Sequence, residues 1–333
     1  MSHRQKLAMI FTMLLGGFFG LLNETLLTTA LPRIMKDFNI EYSQVQWLTT
    51  AFLLTNGVVI PLSAFIIQRY STRQVFLTGI LIFFIGTMLG GFSPNFTILL
   101  IARIIQALGS GIMMPLMMTT ILDVFKPHER GKYMGMFGLV IGLAPAIGPT
   151  LSGYLVEYLN WRSLFHVVAP IAAITFIIAL FTVKNVGETI KVPIDIISII
   201  LSVLGFGGLL YGTSSISHDG WNDPIVLTTI IGGVILVALF IWRQSKLETP
   251  LLNFGVFKNT QFAIGILIMA VTMVSMIGSE TVLPMFVQNL LGRTPIDSGL
   301  ILLPGAIVMA IMSVISGWLY ETFGAKVLAI IGM

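Results

Sequence analysis

The sequence predicts an all-α protein that crosses a membrane many times, and three observations lead there. Of its 333 residues 56% are hydrophobic and only 10% charged, whereas a soluble domain carries about 25% charged residues. Mean hydropathy is +0.96. The apolar residues also fall into blocks of about 20, the length a helix needs to cross a hydrocarbon core. A soluble enzyme, a nucleic-acid binder and a disordered chain are excluded together. The net charge of +4 does not reinstate nucleic acid, because no segment gathers Lys and Arg into a stripe that could follow phosphates.

The first span, roughly 7–31, follows the basic start Met1-Ser-His-Arg-Gln-Lys6. It outruns a signal-peptide core of about 7–15 residues and lacks a small-x-small cleavage site, so it is expected as a retained helix. Nine further spans are expected at roughly 44–67, 75–92, 96–122, 132–155, 164–183, 194–213, 225–242, 261–287 and 298–319. An eleventh begins near Lys326, and Met333 falls inside its apolar run, so the second half reads as truncated.

Orientation follows the basic residues. With the N-terminus inside, thirteen of the 18 Lys and Arg residues fall on cytoplasmic segments, among them Arg4, Lys6, Arg69, Arg73, Lys126, Arg130 and Lys132. Four, Arg33, Lys36, Arg162 and Arg293, fall outside, and Arg103 lies within a span. That asymmetry predicts a cytoplasmic N-terminus. An internal repeat appears at an offset of roughly 253–256 residues: Glu24-Thr-Leu-Leu27 recurs as Glu280-Thr-Val-Leu283, and Ala64–Arg73 as Gly317–Lys326. Repeated helical bundles with a binding site between them near mid-membrane are a common plan of secondary transporters.

Several motifs resemble the major facilitator superfamily, in its 14-helix drug:proton antiporter branch. Span one ends Leu22-Asn-Glu-Thr25-Leu-Leu-Thr-Thr-Ala30-Leu-Pro32, similar to L-D-x-T-x-x-N-x-A-L-P; Arg103-Ile-Ile-Gln106-Ala-Leu-Gly109 resembles R-x-x-Q-G-x-G. Gly138 through Gly153 with Gly148-Pro149, followed by Trp161-Arg162 and Phe165, resembles the span-five antiporter motif and its outer W-R-x-x-F, and Glu248 through Phe257 the loop before span nine. The resemblance implies three units: a six-helix bundle over 1–185, two extra helices over 186–250, and the start of a second bundle over 251–333. The departures are specific. The branch's span-one Asp is Asn23 with an acid one position later at Glu24, about 100° further round the helix; its Asn is Thr28. The loop after span two carries Ala64, Gln68 and Ser71 where the motif has Gly, Asp and Gly, while its second copy keeps an acid at Glu321.

Glu24, Arg103 and Glu280 are the ionisable residues well inside expected spans, all about 10 Å below the outer surface by helical rise. A central charge costs roughly 2.5–3.5 kcal/mol on insertion scales, which makes each a functional candidate. A carboxyl group in a low-dielectric cavity holds its proton more tightly, and a nearby guanidinium opposes that. A balanced carboxyl can load a proton on one side and release it on the other, and the three are expected to couple protons. The alternative is a fixed ion pair between one acid and Arg103. Asn23, Thr28, Gln46, Trp47, Asn56, Gln106 and Met114 are expected to line a substrate cavity. Gly138, Gly142, Pro145, Gly148, Pro149 and Gly153, with Arg69, Arg73 and Glu321, are expected in gating or helix packing.

The absences are consistent. There is no cysteine, no G-x-x-x-x-G-K-[ST] phosphate loop and no metal-ligand spacing, so no cofactor or metal is expected. The reading is a non-enzymatic, proton-coupled exporter of hydrophobic or cationic drugs, a multi-pass monomer in the cytoplasmic membrane whose partners are substrate, protons and lipid. A metabolite symporter of the same fold and an inactive truncated membrane protein are the alternatives.

Overall fold

The computed structural model describes residues 1–187, 195–247, 250, 252–293 and 295–332. Every regular element among them is helical: α1 (His3–Leu26), α2 (Leu31–Phe38), α3 (Tyr42–Arg69), α4 (Thr72–Gly91), α5 (Phe96–Val124), α6 (Arg130–Tyr158), α7 (Ser163–Thr182), α8 (Ile196–Asp219), α9 (Pro224–Gln244), α10 (Thr260–Met285) and α11 (Pro295–Gly332). Eight helices among the described residues are long and apolar enough to cross a membrane, namely α1 and α3 to α9. The expected ninth and tenth spans fall on α10 and α11, whose described apolar stretches, Thr260–Met276 and Leu300–Ser313, are shorter.

Local chemistry sets the ends. Ser2 with Gln5 and Ser71 with Gln74 form capping boxes at the starts of α1 and α4, each satisfying two otherwise orphaned backbone N–H groups. Asn95 caps α5, Asp223 caps α9 ahead of Pro224, and Asn259 caps α10. The first span ends earlier than expected. At Leu26 the helix gives way to a 3-10 turn (Thr28–Ala30), and Pro32 then opens the short helix α2, which Asn39 ends at φ 52°. Hydropathy ran past this break because Leu26 to Leu31 is apolar on both sides of it. Within α11, Gly324 at φ 73° separates two helical stretches, close to where the eleventh span was expected to begin.

The helices alternate in direction, so α3, α5, α7 and α9 end on the face that carries the N-terminus. α1 packs against α5, α6 and α7; α5 packs against α3 and α4; α4 also meets α7. α8 and α9 pair with each other and reach the rest through α3, while α11 lies along α6. Small residues permit these approaches. A Cβ on Gly109 would stand 2.4 Å from the Gly79 carbonyl oxygen and 2.6 Å from the Phe83 nitrogen, and one on Gly86 would stand 2.6 Å from the Gln106 nitrogen. α4 and α5 therefore touch backbone to backbone. On α1, Gly16, Gly17 and Gly20 receive Phe76, Met113, Met114, Met117 and Ser110. Large apolar side chains such as Phe181, Trp242 and Leu267 ring the outside, as lipid contact requires.

Gly109→Ala should cost about 1–3 kcal/mol, the usual range for overpacking, because backbone atoms rather than a flexible side chain block the methyl. Gly232, with nothing within 4 Å of its Cβ position, is the control. In detergent, thermal unfolding of Gly109→Ala should fall clearly below wild type, while Gly232→Ala should match or exceed it.

Candidate functional site

Arg103, in the third turn of α5, is fully buried. Its Nη1 donates to the Asn23 carbonyl at 3.2 Å, to Gln106 Oε1 at 3.1 Å and to Asn23 Oδ1. Its Nε donates to the Leu48 carbonyl at 3.3 Å, and the guanidinium carbon stands 4.1 Å from the centre of the Phe52 ring. Gln106 Nε2 donates to Thr87 Oγ1 at 2.9 Å, and Thr87 in turn donates to the Phe83 carbonyl at 2.7 Å. One network thus joins α1, α3, α4 and α5. Nη2 of Arg103 is buried without a hydrogen-bond partner among the described residues. Glu24, half-buried one position beyond Asn23, is close enough to act electrostatically on Arg103.

Asn23 and Gln106, expected along a cavity wall, are closed inside this network. Asn56 accepts from Ser110 Oγ at 3.2 Å and ties α3 to α5. Thr28 is exposed in the 3-10 turn and donates to the Thr25 carbonyl at 2.7 Å. Met114 packs on Gly17. Gln46 and Trp47 line a water-sized pocket together with Ser43, Thr50, Ser214 and Ser215. It lies between α3 and α8, where Trp47 also stacks on Tyr211 at 5.8 Å. The side chains of Glu280 and Glu321 lie outside the described ones.

The small residues of α6 face two neighbours. Gly148 opposes Thr25 of α1, whereas Gly138 opposes Ser313 and Gly142 opposes Met309, both on α11. Ser313 Oγ donates to the Gly135 carbonyl at 2.8 Å. Pro145 and Pro149 sit inside α6, and Gly153 is buried. Arg69 lies over the Phe65 ring at 5.9 Å. Arg73 donates from Nη2 to the Leu180 carbonyl at 2.8 Å, and so binds the end of α7.

Other polar clusters drew little or no weight in the sequence. On the face opposite the N-terminus, Asp37 of α2 accepts from Trp161 Nε1 at 2.7 Å and from Arg162 Nη1 at 3.2 Å, while Arg162 Nη2 reaches the Ser93 carbonyl at 3.3 Å. The W-R-x-x-F segment is therefore a clip across three connections. On the N-terminal face Asp195 accepts from Arg243 Nε and Nη2, both at 2.8 Å, and from Ser198 Oγ at 2.6 Å; Gln244 Nε2 donates to Ser198 Oγ at 2.7 Å. This pair clamps α8 to α9. The fork to Arg243 gives Asp195 a packing role at the start of α8.

The all-helical membrane fold, the buried mid-span guanidinium and the small-residue faces define a class of polytopic transport proteins, and comparison with known families is decisive. The Major Facilitator Superfamily model matches residues 13–333. The chain belongs to that superfamily, a family of transporters and not of enzymes. It is 51% identical over 320 residues to the uncharacterized MFS-type transporter YcnB of Bacillus subtilis (strain 168), covering 96% of this chain and 68% of that one. It is 42% identical over 325 residues to the lincomycin resistance protein LmrB of the same organism, covering 97% and 68%. To the multidrug transporter protein MdtP, also of B. subtilis, it is 33% identical over 330 residues, covering 99% and 61%. The chain spans roughly two thirds of the length of these relatives.

The Arg243 fork holds the Asp195 carboxyl down at about 2, from 3.8. A depressed carboxyl contributes stability above its unfolded value and loses it as pH falls through the folded one. The clamp should therefore be fully present above about pH 4 and disappear towards pH 2. Thermal unfolding measured across that range checks it: Asp195→Asn should melt below wild type at pH 7, and the gap should close on acidification.

Proposed function

We propose that this chain forms part of a proton-coupled exporter of hydrophobic or cationic drugs, working by alternating access in the cytoplasmic membrane. The observation that carries the reading is the acid and guanidinium that α1 and α5 bring within electrostatic reach of each other: Glu24 is half-buried, and Arg103 is fully buried with its hydrogen bonds ending on neutral acceptors. Removing charges from water inside a membrane is costly enough to imply a purpose. Glu24 exchanges the proton in this reading, and Arg103 sets how tightly the carboxylate is held. Glu280 of α10 is proposed as the matching acid of the second half.

The relatives' names support the substrate class, since LmrB is a lincomycin resistance protein and MdtP a multidrug transporter. We further propose the 14-helix layout, in which 1–185 is the first bundle, 186–250 the two extra helices and 251–333 the beginning of the second bundle. The α6–α11 contact, with its opposed Gly138, Gly142, Ser313 and Met309, is the surface at which the halves would slide. The basic bias of the N-terminal face supports a cytoplasmic N-terminus, and the unit proposed is a monomer.

Two measurements test this. Because the chain has no cysteine, single cysteines at Asn185 and Ser245 can be labelled without background. An impermeant maleimide should miss both in intact cells and modify both in inverted vesicles; labelling from outside overturns the orientation. In inverted vesicles holding the full-length protein, lincomycin or ethidium should dissipate an imposed pH gradient. Glu24→Gln keeps the shape but cannot carry a proton, so it should abolish dissipation while leaving insertion intact. A Glu24→Gln protein that pumps at the wild-type rate with an unchanged pH profile would sink the assignment.

A further inference from the structure

Thr87 lies on α4, in none of the motifs that mark the chain, and is fully buried. Its hydroxyl has one proton, which goes to the Phe83 carbonyl at 2.7 Å, so towards Gln106 it can only accept. Gln106 must then present its NH2 to Thr87 and its carbonyl oxygen to Arg103, 3.1 Å from Nη1. Arg103 carries only donors, and the two ends of the amide therefore agree on one orientation. The neighbouring Gly86 makes the contact possible, since a side chain there would strike the Gln106 backbone.

We propose that Thr87 is a positioning residue for proton coupling, holding Arg103 at a set distance from Glu24 through Gln106. The inference rests on the exporter reading above. Without the hydroxyl, the Gln106 NH2 is buried and unpaired, a state costly enough to turn the amide away. Nη1 then loses an acceptor on a guanidinium whose Nη2 already has none among the described residues. With one dipole fewer turned towards it, the guanidinium, still held by Asn23 and the Leu48 carbonyl, acts more strongly on the Glu24 carboxylate and favours its ionised form. Glu24 and Arg103 act on each other electrostatically. The other charged or titratable side chains described on the helices packed against α1 and α5 lie within two turns of a helix end: Arg69 of α3, Arg73 of α4, Arg130, Lys132, Tyr133, Tyr154, Glu157 and Tyr158 of α6, and His166 of α7; the side chain of Tyr42 of α3 is outside the described ones. Asp123 and the cations His3, Arg4 and Lys6 are likewise terminal on α5 and α1.

The test measures the pH profile of lincomycin- or ethidium-driven proton flux in inverted vesicles containing the full-length protein. Thr87→Val should move the midpoint of the profile to lower pH by about half a unit or more, equivalent to roughly 0.7 kcal/mol. Thr87→Ser, which restores the hydroxyl, should return it to wild type. Gln106→Ala should shift the profile similarly, and the double variant should shift it no further, because coupled residues are non-additive. Thr87→Ala replaces the valine if that variant does not insert. An unshifted Thr87→Val profile, or additive effects with Gln106→Ala, overturns the inference while leaving the exporter reading standing, provided that Glu24→Gln is inactive. A Glu24→Gln protein with wild-type flux overturns both.

Discussion

A full positive charge buried inside a helical bundle is the constraint around which the first six spans are arranged. Arg103 cannot lose its proton cheaply, and an unpaired cation in a membrane interior is expensive. The chain meets the charge with convergent dipoles: carbonyl and amide oxygens of α1, a carbonyl of α3, an amide on α5 itself and the face of Phe52. Each contributor must come close, and closeness is what the glycines provide. Gly86 and Gly109 bring α4 onto α5, while Gly20 brings α1 against Ser110 one turn or more further along. Packing and electrostatics are here one problem.

The two membrane faces are closed by different chemistry. On the N-terminal face, cations meet helix C-termini, whose last carbonyls carry the negative end of the helix dipole. Lys6 donates to the Val124 carbonyl at 2.7 Å, Arg130 to the Leu122 carbonyl at 2.7 Å, and Arg73 to the Leu180 carbonyl at 2.8 Å. These basic residues count towards orientation in the sequence, yet each also ties two helices together. The opposite face relies on Asp37, Trp161 and Arg162 instead, with Phe165 lodged against Gly90, where a Cβ would lie 2.4 Å from its ring. The motif W-R-x-x-F thus acquires a mechanical meaning that residue types alone do not supply.

What was legible in the sequence was whatever has a period or a cap. Span positions followed from apolar runs, and most helix ends agree within a few residues. The break at Leu26 was hidden because α2 is amphipathic, with Leu31 and Ile34 buried and Arg33 and Lys36 exposed, and only the uncharged Thr28-Thr29-Ala30 turn separates it from the apolar run. Arg103 and Glu24 stood out because a charge inside a span is rare. Thr87 could not stand out, since a threonine in an apolar helix ordinarily bonds back to its own turn, and only the third dimension shows that its free lone pairs face Gln106. Asn23 was assigned to a cavity because polarity in a span suggests solvent; the structure uses the same polarity to solvate a cation.

α6 carries the remaining argument. A helix packed against one neighbour needs a single stripe of small residues, yet α6 offers small residues to two. Gly148 fits Thr25 of α1 within the first six spans, and Gly135, Gly138 and Gly142 fit Ser313 and Met309 of α11. The two contacts lie at different heights along α6, because Gly138 and Gly148 are ten residues, or about 15 Å of rise, apart. Pro145 and Pro149 lack the N–H groups that would bond the Ile141 and Pro145 carbonyls, so the ladder is interrupted between the Gly142 contact with α11 and the Gly148 contact with α1. The part of α6 before Ile141, where Gly135 and Gly138 meet Ser313, lies clear of that interruption. The proline-bearing turns also lie beside Thr25, one residue from Glu24. The stretch of α6 that lacks these backbone bonds therefore adjoins both the α11 contact and the turn of α1 that carries Glu24.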